Sequence, residues 1–378
     1  IKNNAMAKIP IISYGRQWVD EEDIKEVVKA LRSDWLTQGP KVEEFEKAIA
    51  KYCGAKYAVA VSSGTAALHS AYSVAGINAR DEIITTPLTF AATANMMVVL
   101  GARPIFSDVK EDTLNIDPEK IEKKITKRTK AIVLVDFAGH PCDYDKILKI
   151  AKKYKLLVIE DACHALGAEY KGKKIGSLAD ITILSFHPVK HITTGEGGMI
   201  LTNNKDFYEK LKTFRHHGII KKPENGKWYY EIKDIGYNYR LTDFQCALGL
   251  SQLKKIDKFL KKRREIAVKY NKAFQNIKEI ILPTEKDYVK SAWHIYPIQV
   301  QEHSRRNIFD ALQEQGIGAQ VHYMPLHLHP FYKKEFGYKK GDFPKAEKYY
   351  ERAITLSLFP KMANKDIQYV INSIKKII

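Results

Sequence analysis

Six short apolar runs punctuate the first half of the chain, at Ala58–Val61, Glu82–Thr86, Pro104–Val109, Ala131–Val135, Leu156–Ile159 and Ile181–Leu184. Runs of this length, rich in β-branched residues, read as strands buried on both faces, and helical patterns lie between several of them. Strands alternating with helices specify an α/β fold with a mostly parallel sheet and helices on both faces. Gly198–Thr202 reads as the return strand. The 378 residues are enough for one large core and a smaller second lobe. The expected division is a large α/β domain over residues 1–255 and a smaller C-terminal α+β domain over 256–378.

The helices announce themselves by spacing and caps. Asp20–Arg32 places Ile24, Val27, Val28 and Leu31 on one face, with acids in its first turn. A polar turn, Ser33 to Pro40, precedes a second helix, Lys41–Tyr52, which closes at Gly54. Further helices are expected over Ala66–Val74, from near Ala91, and over Asp143–Tyr154 and Lys205–His216. A polar, aromatic loop of about 20 residues then reaches Gly236, long enough to suggest a functional use such as a dimer contact. Thr242-Asp243 is expected to cap a helix running to about Leu260 and followed by another over 261–276. The remainder reads as strands near 292–300 and 317–322 and helices near 304–315, 343–352 and 364–376.

Composition narrows the function classes. The net charge of +18 raises the question of a polyanionic partner, but the lysines are spread over helices. There is no Arg-rich groove with interleaved aromatics, so nucleic acid is not expected, whereas an anionic small molecule suits the field. The four cysteines, Cys53, Cys142, Cys163 and Cys246, are scattered, as in a reducing cytoplasm. The stretch Phe90–Phe106 is interrupted and too short to span a bilayer, and the opening IKNNAMAK lacks the apolar region of a signal peptide. No membrane association is expected. The His-rich segment His322 to His329 lacks the carboxylate or thiolate that would complete a metal-ligand set.

Two strand ends carry the chemistry. The run Ile181–Leu184 ends at Ser185-Phe186-His187-Pro188 and releases Lys190 into a Thr/Gly-rich loop, where desolvation can leave an amine able to form a Schiff base. Asp161 closes the preceding strand, at the crevice where α/β sheets bind ligands. Such a carboxylate is costly to bury unless paired, and a protonated heterocyclic nitrogen is a suitable partner. Ser63-Gly64-Thr65 turns directly from strand to helix, either as an anion cradle or as a helix cap. Phe90 sits at another strand-to-helix junction, placed either to cover a flat ligand or to fill core.

Together with SDWLTQGPKVEEFE, SSGTAAL, PLTFAATAN, EDACHALGA, SFHPVK…TTGEGG and GYNYRLTDFQCALG, these residues resemble, from Tyr14 to Pro330, the fold type I pyridoxal-phosphate enzymes. The resemblance is to the sugar aminotransferases of the DegT/DnrJ/EryC1/StrS family. SFHPVK and HYMPLH look most like the 4-aminotransferases acting on UDP-linked 4-keto-6-deoxy-N-acetylhexosamines in pseudaminic acid biosynthesis. The resemblance implies pyridoxal 5'-phosphate, alternating with pyridoxamine phosphate, as cofactor. It implies L-glutamate, leaving as 2-oxoglutarate, and a UDP-sugar as substrates, and a cytoplasmic homodimer with shared active sites. Lys190 then carries the cofactor and moves the proton, and Asp161 holds the ring nitrogen protonated. Phe90 stacks on the ring, and His164 lies near its hydroxyl. Gly64, Thr65, Ala66 and Ser185 hold the phosphate, with Asn238 reaching it from the other subunit. Tyr14, Asp34, Trp35, Leu36, Thr37, His322, Tyr323, Met324 and Pro325 surround the nucleotide sugar. His191 departs from the family, whose members usually carry Pro there, and is expected to shape the loop. Alternatives are a sugar 3-aminotransferase, a 4-aminotransferase for another nucleotide sugar, a 3-dehydratase (disfavoured because that group replaces the lysine with His), and a non-catalytic binding protein.

Overall fold

The computed structural model describes residues 12–301 and 304–378, so the IKNNAMAK segment lies outside the described residues. Seven strands form the central sheet: β1 (Tyr57–Val61), β2 (Glu82–Thr85), β3 (Arg103–Phe106), β4 (Thr129–Val135), β5 (Leu157–Asp161), β6 (Ile181–Ser185) and β7 (Gly198–Thr202). Their spatial order is β1-β7-β6-β5-β4-β2-β3. Strands β3, β2, β4, β5 and β6 run parallel, and β7 runs antiparallel to both β6 and β1. The mostly parallel sheet expected of the fold type I enzymes is therefore present.

The helices that flank the sheet are α1 (Glu21–Leu31), α2 (Pro40–Cys53), α3 (Gly64–Val74), α4 (Ala91–Val99), α5 (Tyr144–Tyr154) and α6 (Lys205–Phe214). Period-two alternation divides each strand between two cores. On one face Ile132, Leu134, Leu184, Met199 and Leu201 pack with Phe45 and Ile49 of α2 and Ile147 of α5. On the other, Val133, Ile159, Ile181, Ile183 and Ile200 pack with Leu68 and Tyr72 of α3 and Leu211 of α6. Apolar side chains on both faces are what make these strands continuous hydrophobic runs in the sequence.

After the sheet the chain continues through α7 (Asp243–Lys254) and α8 (Ile256–Phe274). The helix expected to run to Leu260 instead breaks at Lys255, whose ammonium is drawn to Asp20 and Asp23, each at 2.7 Å. Asp243 does not cap its own helix. Its carboxylate, almost fully buried, accepts the N–H groups of Gly39 at 2.8 Å and Lys41 at 3.0 Å, and so caps α2. The loop before α7 is also more ordered than expected, because Ile219–Lys221 and Tyr230–Ile232 pair as an antiparallel hairpin.

The C-terminal part is built on the antiparallel pair Tyr296–Gln299 and Ala353–Leu356, with helices Arg305–Glu314, Pro344–Arg352 and Asn364–Ile377 close to their expected limits. The strand expected near 317–322 is reduced to isolated bridges, Ile12 to Ile317 and Gln320 to Thr355. A third core takes Ile12 and otherwise only residues between Ile266 and Ile374. A fourth joins Leu88, Phe106 and Phe137 near the carboxyl ends of the sheet to Leu326, Tyr332, Phe343 and Tyr349. That fourth core seats the C-terminal residues over the end of the sheet where parallel strands present their ligand-binding crevice.

Candidate active site

A cavity of about 410 Å³ opens over the carboxyl ends of β4, β5 and β6. Its walls include Ser63, Gly64 and Thr65 from the start of α3, Phe90 and Thr93 from the start of α4, and Asp161, Ser185 and Lys190 from the ends of β5 and β6. Tyr14, His294, His322 and Tyr323 close it from the C-terminal side. The two strand-end residues singled out in the sequence thus face one space.

Asp161 is held on both oxygens. Oδ2 accepts the Thr93 hydroxyl at 2.7 Å, and Oδ1 accepts the Cys163 N–H at 3.2 Å. Because Thr93 gives its proton to the carboxylate, the Thr89 hydroxyl donates to Thr93 Oγ1 at 2.8 Å, making a chain of two hydroxyls behind the acid. Each carboxylate oxygen keeps a further lone pair for a ligand. Lys190 sits on a turn closed by its own N–H to the His187 carbonyl at 2.9 Å. Burial pulls its ammonium below the ordinary lysine range. The nearby Cys163 and Asp161 oppose that shift, and the Arg263 cation adds to it.

The turn at the start of α3 lies close against the sheet because two glycines permit it. A Cβ on Gly198 of β7 would stand 2.4 Å from the Ser63 carbonyl oxygen, and one on Gly64 would approach Ser185 Cβ at 3.1 Å. Ser185 therefore sits directly beside the helix N-terminus. Ser63 caps α3 by accepting the Ala66 N–H at 3.0 Å. The helix-cap reading of this turn is observed, and Ser63, Gly64 and Thr65 also line the cavity, as the anion-cradle reading requires. Ala66 has given its N–H to the cap and is absent from the cavity wall.

Imidazoles crowd the far wall. His164 Nε2 lies 3.2 Å from the Tyr323 hydroxyl, and its ring lies 4.3 Å from that of His294. Burial, reinforced by Lys190 and neighbouring imidazoles, holds His164 well below the usual histidine range. His294 is shifted the same way, by burial first and then by His164 and Lys190. His322 falls to about 4 through burial and the Lys190 charge. These rings are neutral at pH 7. The buried Nδ1 of His164 has no partner among the described residues, leaving a polar atom available to a bound group.

These features fit pyridoxal phosphate. A small-residue cradle at a helix N-terminus suits a phosphate, a doubly anchored carboxylate suits a protonated ring nitrogen, and a desolvated amine lines the same cavity. Phe90, 60% exposed, lines the cavity with its ring 6.1 Å from that of Tyr323.

Other expected residues lie elsewhere in the single chain. Asp34, Trp35, Leu36 and Thr37 are exposed and rest on the start of α7, where Asp243 N–H meets the Leu36 carbonyl at 2.9 Å. Asn238 is exposed and bridges to His216. Met324 and Pro325 follow the cavity wall without lining it. Sequence reasoning missed Thr89, Thr93, Cys163, His187, Glu196 and His294. The spacing of Thr89 and Thr93 across the start of a helix was a usable signal for the first two. Among the described residues no cluster of three His, Cys, Asp or Glu side chains is arranged to hold a metal ion, and no helix is long and apolar enough to cross a membrane.

Comparison with known proteins gives the same picture over the whole length. The DegT/DnrJ/EryC1/StrS aminotransferase family matches residues 17–375. The spore coat polysaccharide biosynthesis protein SpsC of Bacillus subtilis is 45% identical over 377 residues, 97% of each chain. The UDP-4-amino-4,6-dideoxy-N-acetyl-β-L-altrosamine transaminase of Campylobacter jejuni is 44% identical over 374 residues, 97% of this chain and 98% of the other. Among solved structures, Spr1654 of Streptococcus pneumoniae, described as a sugar aminotransferase, is 32% identical over 97% of this chain and 98% of its own. It superposes with a TM-score of 0.93 in its PMP form and 0.92 in its PLP form.

Proposed function

The chain belongs to the DegT/DnrJ/EryC1/StrS aminotransferase family and is a pyridoxal-phosphate-dependent sugar aminotransferase; from that premise we propose that it moves the amino group of L-glutamate to C4 of a UDP-linked 4-keto-6-deoxy-N-acetylhexosamine, as in pseudaminic acid biosynthesis. The observation that carries the reading is the meeting of Lys190 and Asp161 in one cavity beside the α3 cradle. Bound pyridoxal phosphate supplies an electron sink and the carbon on which the amino group is stored between the two substrates.

The roles of this chain's residues follow from their surroundings. Lys190 Nζ, its proton affinity reduced by burial, removes the proton from the glutamate Cα and delivers one to C4 of the sugar. Asp161, anchored by Thr93 and the Cys163 N–H, holds the proton on the heterocyclic nitrogen. The Ser63, Thr65 and Ser185 hydroxyls with the Gly64 and Thr65 N–H groups hold the phosphate, and Phe90 and His164 bound the ring. Tyr14, His322 and Tyr323 face the sugar. The turn Asp34 to Thr37 and Asn238 serve a second subunit's cavity in a homodimer. Among the described residues, the proposed division is a cofactor-binding domain up to residue 255 and a smaller domain after it, supported by a third core that takes Ile12 and otherwise only residues between Ile266 and Ile374.

The direct test supplies the holoenzyme with L-glutamate and the UDP-linked 4-keto sugar and locates the new amine by NMR. The expected product carries it on C4, with one 2-oxoglutarate formed per amine. An amine on C3 identifies a 3-aminotransferase instead, and a Lys190→Ala variant that still turns over repeatedly overturns the lysine's role.

A further inference from the structure

Behind the Lys190 loop lies an arginine whose surroundings call for explanation. Arg263, on α8, is 1% exposed. Among the described residues no carboxylate pairs with it. Its guanidinium donates instead to main-chain carbonyls: Nη1 to Trp293 at 3.3 Å, His294 at 3.0 Å and Leu358 at 3.2 Å, and Nη2 to Val189 at 3.4 Å. A buried cation held only by neutral dipoles is costly, and fully packed apolar alternatives serve stability as well or better. Its connections lead to the site. Val189 immediately precedes Lys190. The His294 ring packs against that of His164 at a tilt of 38°, and the Leu358 N–H binds the Tyr14 carbonyl at 3.0 Å.

We propose that Arg263 is a positioning residue of the transamination site: its guanidinium ties the Val189 carbonyl, next to Lys190, to the Trp293, His294 and Leu358 carbonyls of the C-terminal part, and its buried positive charge disfavours a second cation on the neighbouring lysine. The groups that face Lys190 define this role. Asp161, Cys163 and His164 approach from the end of β5. His187, His191 and Glu196 belong to its own loop, and His294, His322 and Tyr323 come from the C-terminal side. The carboxylate of Asp161 favours an ammonium, while burial keeps His164, His191, His294 and His322 uncharged at pH 7. Arg263 is thus the buried cation that opposes Asp161. Burial lowers its own pKa only to about 9, so it remains charged at neutral pH.

This inference rests on the reading of Lys190 above, and its test separates the two. In cofactor-free protein, labelling of Lys190 by acetic anhydride is followed against pH by peptide mass spectrometry, a readout independent of turnover. Arg263→Gln is expected to raise the labelling midpoint by about one pH unit, because a charge is lost while hydrogen bonding is retained. Arg263→Lys is expected to keep the wild-type midpoint. In the holoenzyme, with L-glutamate as donor, it is expected to lower kcat at least tenfold and leave KM within twofold, because one ammonium cannot span four carbonyls. An unchanged midpoint in folded Arg263→Gln overturns the proposal. Should that variant not fold, an unchanged kcat in Arg263→Lys overturns it. Failure of the Lys190 assignment would appear separately, as turnover in Lys190→Ala with the labelling shift intact.

Discussion

At the scale of single residues, the site is a balance of one acid, one amine and the groups that tune each. Asp161 keeps its orientation because Thr93 and the Cys163 N–H occupy one lone pair on each oxygen, leaving a further lone pair on each for a ligand. Replacing Thr93 with Val removes the hydroxyl at nearly constant volume. A hydrogen bond to a charged group contributes about 1.5–3 kcal/mol, so a loss of about tenfold or more in kcat is expected, with little change in the KM for glutamate. Stopped-flow measurement of the glutamate half-reaction checks this, and wild-type kinetics would mean that Asp161 is oriented by other contacts. Asp161 and Lys190 were legible in the sequence because each follows a run of buried strand residues, where side-chain chemistry and chain position coincide. Thr93 was legible only as a hydroxyl pair with Thr89 at the start of a helix, and the roles of Thr93, His294 and Arg263 were not, because each acts through a partner distant in sequence. Thr93 meets Asp161 across 68 positions, and Arg263 meets Val189 across 74.

At the scale of elements, the cavity depends on how closely a helix start approaches a strand. Gly198 lies in β7 opposite Val61 of β1, and it leaves room for the Ser63–Gly64 backbone that opens α3. In Gly198→Ala the new methyl would meet the Ser63 carbonyl oxygen and carbon and the Gly64 nitrogen, none of which is a flexible side-chain end. The turn must move, and the backbone donors at the start of α3, proposed to hold the phosphate, move with it. Overpacking of this kind costs about 1–3 kcal/mol, so the concentration of pyridoxal phosphate giving half-saturation is expected to rise about tenfold, together with a lower Tm. Fluorescence titration with cofactor and a thermal melt measure both. Unchanged cofactor affinity would show that the cradle does not hold the phosphate. The strands of the sheet were easy to read because burial on both faces gives uninterrupted apolar runs. The hairpin Ile219–Lys221 with Tyr230–Ile232 was not, since its strands are half-exposed and separated by Pro, Asn and Gly. The break at Lys255 was equally hidden. It depends on Asp20 and Asp23, more than 200 residues earlier.

At the scale of the molecule, the single chain leaves one flank open. The segment from the hairpin to α7 exposes Trp228 (83%), Tyr230, Ile232 and Ile235 (75%), more apolar surface than a monomer ordinarily presents in one stretch. Asn238 lies at the end of that segment and away from its own cavity, as does the Asp34 to Thr37 turn beside it. A two-fold dimer would satisfy both observations, because an isologous interface would cover the patch on each copy and would present each Asn238 to the other's cradle. Sharing of this kind is tested by complementation. Lys190→Ala and Asn238→Ala are each expected to be nearly inactive alone. A hybrid dimer holds one cavity carrying both lesions and one carrying neither. Random co-assembly of equal amounts makes about half of the dimers hybrids, so about a quarter of the wild-type activity should return. Tagging the two chains differently and purifying the doubly tagged species should raise that to about half, with a sedimentation mass of two chains. If the hybrid stays as inactive as its parents, or Asn238→Ala is fully active alone, each cavity is completed by its own chain and the exposed flank serves another purpose.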